Sequence, residues 1–295
     1  MDVSLIVVNW NVREYLLKCV ESIFKYTENI TFEIIVVDNA SNDGSIEALR
    51  SAYTQEILDE KLVIINNKNN NGFSKANNQG LKEARGKYIY FVNPDVEFLE
   101  NTVIKLKEYM DIHPEVGICT GTLLYGDKTT QPNVKFNPTF CDQVIVLLKL
   151  HHFLKLKCLK RYLAKDFDYH SPSEVQLIMG ASMFTRNDLM KAIQGWDEDY
   201  WIWWEDVDLC LRVQKRKLKI MYLPITEMIH YESKSFEKVM SLQKQKRFIT
   251  GMLTYFKKHH SKAAYFALLI LSPISYLLAY IVQILKIKPR TQSRI

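Results

Sequence analysis

Short apolar runs alternate with stretches of helical periodicity along the first part of the chain. The expected strands cover residues 3–9, 32–37, 62–66 and 88–92. The expected helices, in which apolar residues recur every three or four positions, cover residues 15–26, 46–53, 73–84 and 99–113. Because the strands are apolar throughout and alternate with helices, the pattern predicts a doubly wound α/β sheet of parallel strands.

Clusters of polar residues follow three of these strands. Asn9 and Asn11 follow the first, residues 38–43 follow the second, and residues 93–95 follow the fourth. Ligands of open α/β sheets bind beyond the carboxyl ends of the strands, where these clusters are expected. The sequence therefore predicts a binding site at this edge of the sheet.

The pattern changes after residue 115. Short strands are expected at residues 117–124 and 176–185, and between them residues 143–165 carry six Lys and Arg, two His and no acidic residue. Apolar residues are dense in this segment, which is typical of one or two basic amphipathic helices at a membrane surface. A basic helical insertion that packs on the rest of the domain is the alternative.

Residues 263–285 contain no charged side chain, and lysines stand on both sides of them. At about 1.5 Å per residue, a helix of this length spans the hydrocarbon core of a bilayer. Pro273 would kink such a helix, and positive charge on both sides gives no orientation. We expect an apolar membrane anchor here. A full crossing, a hairpin or in-plane helix bent at Pro273, and a soluble packing helix are the alternatives.

Composition limits the class of protein further. The 295 residues, 47% of them hydrophobic, suffice for one large domain with appendages. The five cysteines are scattered and form no C-x-x-C pair, which argues against a disulfide framework or a structural zinc site and indicates a reducing, cytosolic environment. Residues 1–8 have no basic region and no cleavage site, so we expect no secretion signal there.

The net charge of +6 is unevenly distributed. From Lys234 onward the chain has twelve Lys and Arg and one acidic residue, a charge of +11, and the preceding residues carry −5. A basic tail could bind nucleic acid. Because this tail is also strongly apolar, we expect a membrane surface as its partner and no nucleic acid.

Residues 200–212 combine three tryptophans with three carboxylates, Glu205, Asp206 and Asp208, ahead of an apolar helical run. Carboxylates beside large apolar rings are desolvated, which raises their pKa and makes them better bases. Aromatic rings beside acids are also suited to holding a sugar. The segment is equally compatible with a helix N-terminus that has acids in its first turn and aromatic residues in a core.

Two further groups could carry chemistry. Asn93, Asp95 and Glu97 offer oxygen ligands at a strand end, which suits Mg²⁺ or Mn²⁺, although Asn-Pro-Asp also forms ordinary turns. Residues 38–45 are typical of a turn with a helix cap or of a nucleoside pocket. His230 follows a short apolar stretch and is compatible with a ligand or a structural residue.

Taken together, these motifs resemble the family 2 glycosyltransferases, which are inverting enzymes of GT-A fold. The resemblance is strongest to a branch similar to bacterial rhamnosyl- and galactofuranosyltransferases, and it runs from residue 3 to about residue 235. The motifs that carry it, in order, are residues 7–11, 36–45, 71–80, 93–95, 195–198 and 205–209. It implies an α/β GT-A fold with a Rossmann-like nucleotide-binding half, an acceptor-binding half, and a C-terminal apolar helical anchor.

The resemblance also implies roles for the donor side. Asp38 would hydrogen-bond the nucleotide base, with Asn9 and Ser41 in the same pocket. Asn77 would lie near the diphosphate, and Lys75 would add positive charge there.

The metal ligands are implied in the same way. Asp95 and His230 would hold a divalent cation, Mg²⁺ or Mn²⁺. Asn93 stands beside Asp95 where the family usually has the first acid of D-x-D, which removes one charge from the metal site.

On the acceptor side, Asp206 matches the catalytic base of the family. Glu205 and Asp208 would support it, and Arg212 would pair with one of them. At least one of the nearby tryptophans is expected in the core. The residues expected to line the acceptor site are Gly180, Ser182, Trp201, Trp203 and Trp204.

The implied reaction is transfer of a sugar from a nucleotide-diphosphate sugar to a hydroxyl of a saccharide, with inversion. The basic apolar segments suggest an acceptor linked to polyprenyl diphosphate at the cytoplasmic face of a bacterial membrane, in cell-surface polysaccharide synthesis. The expected domains are residues 1–240, divided at residue 115 into donor and acceptor halves, and a basic tail of residues 241–295.

Two alternatives belong to other functional classes. A sugar nucleotidyltransferase would have a glycine-rich phosphate loop near the N-terminus, which residues 9–13 lack. A catalytically silent nucleotide-sugar-binding protein would not need the acids at positions 38, 95 and 206, all of which are present.

Overall fold

The computed structural model describes residues 1–150, 156–232 and 241–284. The strands are β1 (Val3–Asn9), β2 (Phe32–Asp38), β3 (Leu62–Asn66), β4 (Tyr88–Val92), β5 (Val96–Phe98), β6 (Val116–Leu124), β7 (Thr130–Gln131), β8 (Val134–Lys135), β9 (Ser173–Val175), β10 (Leu177–Ile178), β11 (Ser182–Arg186) and β12 (Lys219–His230). The helices are α1 (Arg13–Tyr26), α2 (Ser45–Ala52), α3 (Thr54–Leu58), α4 (Phe73–Glu83), α5 (Thr102–Ile112), α6 (Phe140–Leu147), α7 (Lys157–Tyr162), α8 (Asn187–Ala192), α9 (Glu205–Lys215), α10 (Ser241–His259) and α11 (Lys262–Ile284).

One large mixed sheet organises the described part of the chain. Its strand order is β3-β2-β1-β4-β11-β6-β12-β5, with β7 paired to β6 and β9 to β12, while β8 and β10 form a separate two-stranded sheet. The first four strands are parallel to one another, as predicted. Strand β11 runs antiparallel to both of its neighbours. The second half is therefore a mixed extension of the predicted parallel sheet.

Strand β1 is buried on both faces because helices cover the sheet on either side. Leu5 and Val7 belong to the core cluster that includes α1 and α5, whereas Ile6 and Val8 belong to the cluster on the opposite face, with α4 and α9. Full burial of one such aliphatic side chain contributes about 1.5–3 kcal/mol. This two-sided burial explains why β1 is apolar throughout rather than alternating.

The predicted elements of the first 113 residues agree with the structure to within a few residues at their ends. The single strand predicted at residues 176–185 is wrong. It is two strands, β10 and β11, separated by residues 179–181, because β10 pairs with β8 while β11 joins the main sheet. The long strand β12 was not predicted, because Pro224 and Thr226 interrupt its apolar pattern.

The basic insertion folds as two short helices in its described part. Ile145, Val146, Leu159 and Tyr162 are buried together, with Phe248 of α10 packed against them. The apolar residues thus face the protein, which favours the packed insertion over a membrane-surface helix. Residues 151–155 of the predicted segment lie outside the described residues.

The C-terminal helices pack against each other and against α6. Residues 262–281 of α11 form the one described helix that is long and apolar enough to cross a membrane, with a mean hydropathy of 1.9. The helix continues through Pro273, which excludes the alternative of a helical hairpin at that residue. One face of α11 is buried, and the other exposes large apolar residues. The exposed apolar residues are Phe266, Leu269, Ile270, Ile274, Leu277, Tyr280 and Ile281.

Candidate functional site

Three residues predicted to bind the donor meet where β1 and β2 end side by side. Asn9 is the register partner of Asp38, and its side-chain amide donates to Asp38 Oδ1 at 2.7 Å and to Ser41 Oγ at 3.1 Å. The Ser41 amide donates to Asp38 Oδ2 at 2.8 Å. Each Asp38 oxygen keeps a further lone pair, so this fixed carboxylate can also accept a hydrogen bond from a ligand N–H.

The other two predicted donor residues lie on α4. Asn77 is buried and its amide donates to the Phe73 carbonyl at 3.0 Å. Lys75 is exposed. The helix begins after Gly72, which has a φ of +84° and whose carbonyl accepts from Asn39 at 3.1 Å. The positive end of α4 therefore lies beside the Asn9–Asp38 cluster, which suits a negatively charged diphosphate.

Asp95 and His230 lie face to face. Val96, next to Asp95, is the register partner of His230, and Asp95 Oδ1 lies 3.4 Å from His230 Nε2. On the far side of the ring, His230 Nδ1 is 2.8 Å from Gln131 Oε1. The Gln131 amide nitrogen donates to Glu232 at 3.1 Å, so its oxygen faces the histidine. This arrangement lets Nδ1 donate to Gln131 and turns Nε2 towards Asp95.

A divalent cation fits this pair. Both side chains are buried, and Nε2 has no hydrogen-bond partner among the described residues. With a neutral imidazole, Nε2 and the Asp95 carboxylate are two acceptors, and a cation between them would satisfy both. The described residues contain no group of three or more His, Cys, Asp or Glu that could hold a metal. Ligands from the substrate or water would have to complete the coordination.

We expect His230→Ala to weaken Mn²⁺ binding by at least about tenfold, because removing even an outer ligand support costs that much. Gln131→Leu should weaken Mn²⁺ binding less, because it removes only the hydrogen bond that orients the His230 ring. Titration of Mn²⁺ by electron paramagnetic resonance measures the affinity without turnover. His170→Ala, at an exposed histidine away from the pair, is the control. Unchanged Mn²⁺ affinity in His230→Ala would exclude His230 as a ligand.

Asp206 lies one residue inside α9, beside the loop between β10 and β11. Its Oδ2 accepts from the Gly180 amide at 3.1 Å, and a side chain at Gly180 would contact it, since a Cβ there would lie 3.5 Å from Asp206 Cβ. Burial raises the pKa of Asp206. Burial and the charge of Asp206 raise the pKa of the buried Glu205 well above its usual range. The arrangement can hold and move a proton.

Backbone hydrogen bonds connect these clusters. The Asn93 amide donates to the Ala181 carbonyl at 2.9 Å, while the neighbouring Gly180 amide binds Asp206. Strand β4, which ends before Asn93, pairs with β1, which ends at Asn9. The donor-side residues, the Asp95–His230 pair and Asp206 are therefore brought to the same edge of the sheet.

Asp208 binds Arg212 and His259 and does not contact Asp206. Arg212 Nε lies 2.6 Å from Asp208 Oδ2, which confirms the predicted pairing of Arg212 with an acid, and His259 Nε2 of α10 lies 2.6 Å from Oδ1. Burial alone would raise the pKa of Asp208, but the His259 hydrogen bond and the Arg212 charge outweigh it and lower the pKa. Asp208 therefore ties α9 to α10.

The turn before α9 has an unusual backbone. Trp203 and Trp204 have φ values of +64° and +74°, and the left-handed conformation costs roughly 1–2 kcal/mol per non-glycine residue. Helix α10 packs directly on this turn. A Cβ at Gly251 would lie 2.8 Å from Trp204 Cδ1 and 2.9 Å from the Trp203 carbonyl oxygen, and Lys258 is 2.5 Å from Asp197. Helix α10 thus holds the strained turn that precedes Glu205 and Asp206.

The model described as glycosyl transferase family 2 matches residues 4–170, more than half of the chain. The chain belongs to glycosyl transferase family 2. A second model, glycosyl transferase family group 2, matches residues 138–289 of this family 2 chain.

Curated relatives match only parts of their own length. The minor teichoic acid biosynthesis protein GgaB of Bacillus subtilis is 30% identical over 56% of this chain and 18% of that protein. The O-antigen biosynthesis protein RfbC of Myxococcus xanthus is 25% identical over 73% and 16%. Rhamnosyltransferase WbbL of Escherichia coli is 25% identical over 54% and 61%. The family 2 chain therefore spans less than two thirds of each of these proteins.

Solved structures share the fold at low identity. The mannosyltransferase PcManGT from Pyrobaculum calidifontis, in complex with GDP-Man and Mn²⁺, has a TM-score of 0.58 and 15% identity over 96% of this chain and 75% of its own. S. aureus TarS 1-349 in complex with UDP-GlcNAc has a TM-score of 0.56 and 17% identity over 98% and 77%. The predicted α/β GT-A fold of the family 2 chain is confirmed.

The structure corrects two of the predicted acceptor residues. Trp204 is 3% exposed and packs against Phe248, Tyr255 and Phe256 of α10, so it belongs to the core. Ser182 is fully buried, with its hydroxyl 2.9 Å from the Tyr90 hydroxyl, because strand β11 directs it into the sheet interior. Neither side chain can contact an acceptor.

The other predicted acceptor residues lie close to the site. Trp201 and Trp203 are partly exposed, and Gly180 contacts Asp206. The Trp201 carbonyl accepts from the Phe73 amide at 2.7 Å, and the Arg247 guanidinium lies 3.8 Å from the centroid of the Trp201 ring. Trp201 thus connects the start of α4 with α10. No local sequence pattern indicates the contribution of α10, because its contact with Trp204 depends on the tertiary packing.

Glu205→Gln should make the family 2 chain more stable at neutral and alkaline pH. The pKa of Glu205 is raised above 4.5 in the folded protein, so the folded state keeps a proton that the unfolded state loses, and the free energy of unfolding falls as pH rises through this window. Each unit of pKa shift corresponds to about 1.4 kcal/mol. Urea unfolding at pH 5 and pH 8 measures the effect. Equal pH dependence in both proteins would contradict it.

Proposed function

We propose that this family 2 chain is an inverting glycosyltransferase that transfers a sugar from a nucleotide-diphosphate sugar to a hydroxyl of a saccharide. The observation that carries the proposal is the placing of Asp206 at the same sheet edge as the Asn9–Asp38–Ser41 cluster. One group is suited to bind a nucleotide base, the other to remove a proton. Family membership supports the same reaction class.

In the proposed mechanism, Asp206 accepts the proton of the acceptor hydroxyl as the oxygen attacks the anomeric carbon. The nucleoside diphosphate leaves from the opposite face of the sugar, so a single displacement inverts the configuration. The Gly180 amide keeps the Asp206 carboxylate oriented. Asp38 holds the donor base, and the start of α4 lies beside its phosphates. When bound by Asp95 and His230, a divalent cation would neutralise charge on the diphosphate.

The acceptor we propose is a lipid-linked saccharide in cell-surface polysaccharide synthesis. The relatives named for teichoic acid and O-antigen synthesis support this pathway class, and the relative named as a rhamnosyltransferase supports the rhamnosyl-like branch. The exposed apolar face of α11 supports a location at the cytoplasmic face of a membrane. The division into residues 1–240 and 241–295 is part of the same proposal.

A donor screen tests the activity. The protein is incubated with UDP-, dTDP- and GDP-sugars in Mn²⁺ or in EDTA, and both donor binding and sugar release are followed. We expect one nucleotide class to bind and to be hydrolysed only with the metal. Binding without turnover, also after bacterial lipid extract is added as a source of acceptor, would support the silent binding protein instead.

The membrane location has its own test. The double substitution Ile270→Glu and Leu277→Glu should reduce binding to anionic lipid vesicles by at least about tenfold, because each exposed aliphatic side chain contributes about 1.5–3 kcal/mol when buried in an apolar environment. Flotation with the vesicles measures it. Ser261→Glu adds an acid outside the apolar face and is the control. Equal flotation of the double variant would reject α11 as the lipid contact.

A further inference from the structure

A cavity of about 710 Å³ opens beside β8 in the acceptor half of the molecule. None of the residues that line it takes part in the proposed mechanism. Two lysines and two tyrosines are among the residues that line it, together with one acid. These residues are Tyr125, Asp127, Lys135, Lys165 and Tyr169.

Lys135 places this cavity close to Asp206. It is the register partner of Leu177 in the two-stranded sheet, and Leu177 is three residues before Gly180, which binds Asp206. Burial lowers the pKa of Lys135, and Asp206 is the largest of the negative charges that oppose this shift. Lys135 is half-buried, so its ammonium group is partly desolvated and lies within the field of the proposed base.

Lys135 nevertheless has no direct anionic partner in the described part of the chain. Among the described residues its Nζ has no hydrogen bond or ion pair, and it lies 5.8 Å from the centroid of the Tyr162 ring. Asp206 already accepts one hydrogen bond at each oxygen, from Gly180 and from Val207. A half-buried cation with no direct acidic partner among the described residues is stabilised by an anion, so this position favours an anionic ligand in the cavity.

The other charges around the cavity agree with an anion. Lys165 is exposed at its rim and adds a second cation. Asp127, the acid in the lining, is exposed and accepts from the Thr129 amide at 3.0 Å and from its hydroxyl at 2.6 Å. The acid is thus occupied by its own turn, whereas the two lysines are available to a ligand.

We propose that Lys135 and Lys165 bind a phosphate group of the acceptor in this cavity, next to the hydroxyl that Asp206 deprotonates. The proposal rests on the proposed function and narrows its acceptor to a phosphate-bearing saccharide. The phosphate belongs either to an isoprenyl lipid or to a saccharide or polyol phosphate. Both sources present the same anion to the two lysines. A neutral glycan would leave Lys135 without a direct anionic partner among the described residues.

Binding of phosphate probes tests this assignment independently of turnover. The full-length protein is first saturated with Mn²⁺ and the nucleoside diphosphate of its donor, so that the donor site is filled. Farnesyl phosphate, glycerol 3-phosphate and neutral farnesol are then titrated by calorimetry in a defined detergent. The variants are Lys135→Met, Lys135→Arg and, as a matched control, Lys61→Met at an exposed lysine at the opposite edge of the sheet.

We expect Lys135→Met to raise the Kd of at least one phosphate probe by about tenfold, which corresponds to about 1.4 kcal/mol, and to leave farnesol binding unchanged. Lys135→Arg should stay close to the wild type because it keeps the charge. Selectivity for farnesyl phosphate identifies a lipid phosphate, and selectivity for glycerol 3-phosphate identifies a polyol phosphate. No phosphate binding by the wild type, or equal Kd values in Lys135→Met, overturns the proposal. If the wild type binds phosphate probes through Lys135 but transfers no sugar, the proposed function fails and the phosphate site stands.

Discussion

Asp206→Asn is expected to reduce sugar transfer by roughly 10²–10⁴-fold, the usual contribution of a positioned general base. The asparagine oxygen can still accept from the Gly180 amide, which now binds Asp206 at 3.1 Å, so the loop between β10 and β11 should keep its place. The substitution removes the group that takes the proton and little else. Transfer to a saccharide acceptor, followed by nucleoside diphosphate release, measures the effect.

The matched measurement is donor binding. Asn9, Asp38 and Ser41 are bonded to one another and none of them is bonded to Asp206, so Asp206→Asn should bind the nucleotide-sugar within about threefold of the wild type, a difference of less than 1 kcal/mol. Transfer by Asp206→Asn at more than a tenth of the wild-type rate would disprove the assignment of the base.

The wild-type rate of transfer should also depend on pH. Because the pKa values of Asp206 and Glu205 are raised, the rate should begin to fall at a higher pH than it would with an ordinary carboxylate as the base.

Gly251→Leu is expected to lower the rate of sugar transfer, although α10 contributes no residue to the proposed chemistry. Even a Cβ at position 251 would lie within 3 Å of both Trp203 and Trp204, so a leucine must move α10 away from the turn. Overpacking of this kind costs typically about 1–3 kcal/mol. Because Trp203 and Trp204 hold left-handed conformations, loss of their support should release the start of α9. We expect kcat to fall at least about tenfold, by analogy with other small misplacements of catalytic groups.

A substitution at the neighbouring position 250 distinguishes the clash with the Trp203–Trp204 turn from a general effect of a larger side chain on α10. Thr250 is exposed on the same helix, and Thr250→Leu should leave both kcat and the unfolding midpoint unchanged. Gly251→Leu should lower kcat with little change in the KM for the donor, because the donor cluster lies on β1 and β2. If Gly251→Leu has wild-type kcat while the protein stays folded, α10 has no role in positioning Asp206.

The N-terminal half could be predicted well because its signals are local. Strand β1 is an uninterrupted apolar run, and the polar residues that follow it reach the sheet edge as the topology requires. The family motifs then pointed to Asn9, Asp38 and Asp206 as site residues, and the structure brings them to one edge. The pairing of Arg212 with Asp208 was predictable from their i, i+4 spacing on a helix.

The failures arise where distant segments decide the outcome. Trp204 was interpreted as an acceptor contact because acids follow it, but α10, more than forty positions further along the chain, covers its ring. Ser182 follows Gly180 closely, yet the pairing of β11 with β4 turns it inward. Strand β12 contains a proline and exposed charges, so only its partners β6 and β5 reveal it. None of these contacts is encoded in a short sequence window.

The joint packing of α10 and α11 has a practical consequence for making the protein. Gln245 of α10 donates to Ser275 of α11 at 2.9 Å in a buried contact, and α10 carries the Gly251 contact with the Trp203–Trp204 turn. Truncation at about residue 260 would avoid the need for detergent. It would also remove α11 from one face of α10 and expose Gln245 and its neighbours to water. Such a shortened protein should lose part of its turnover along with its hydrophobic helix. Kinetic measurements should therefore use the chain with both helices, purified in a mild detergent.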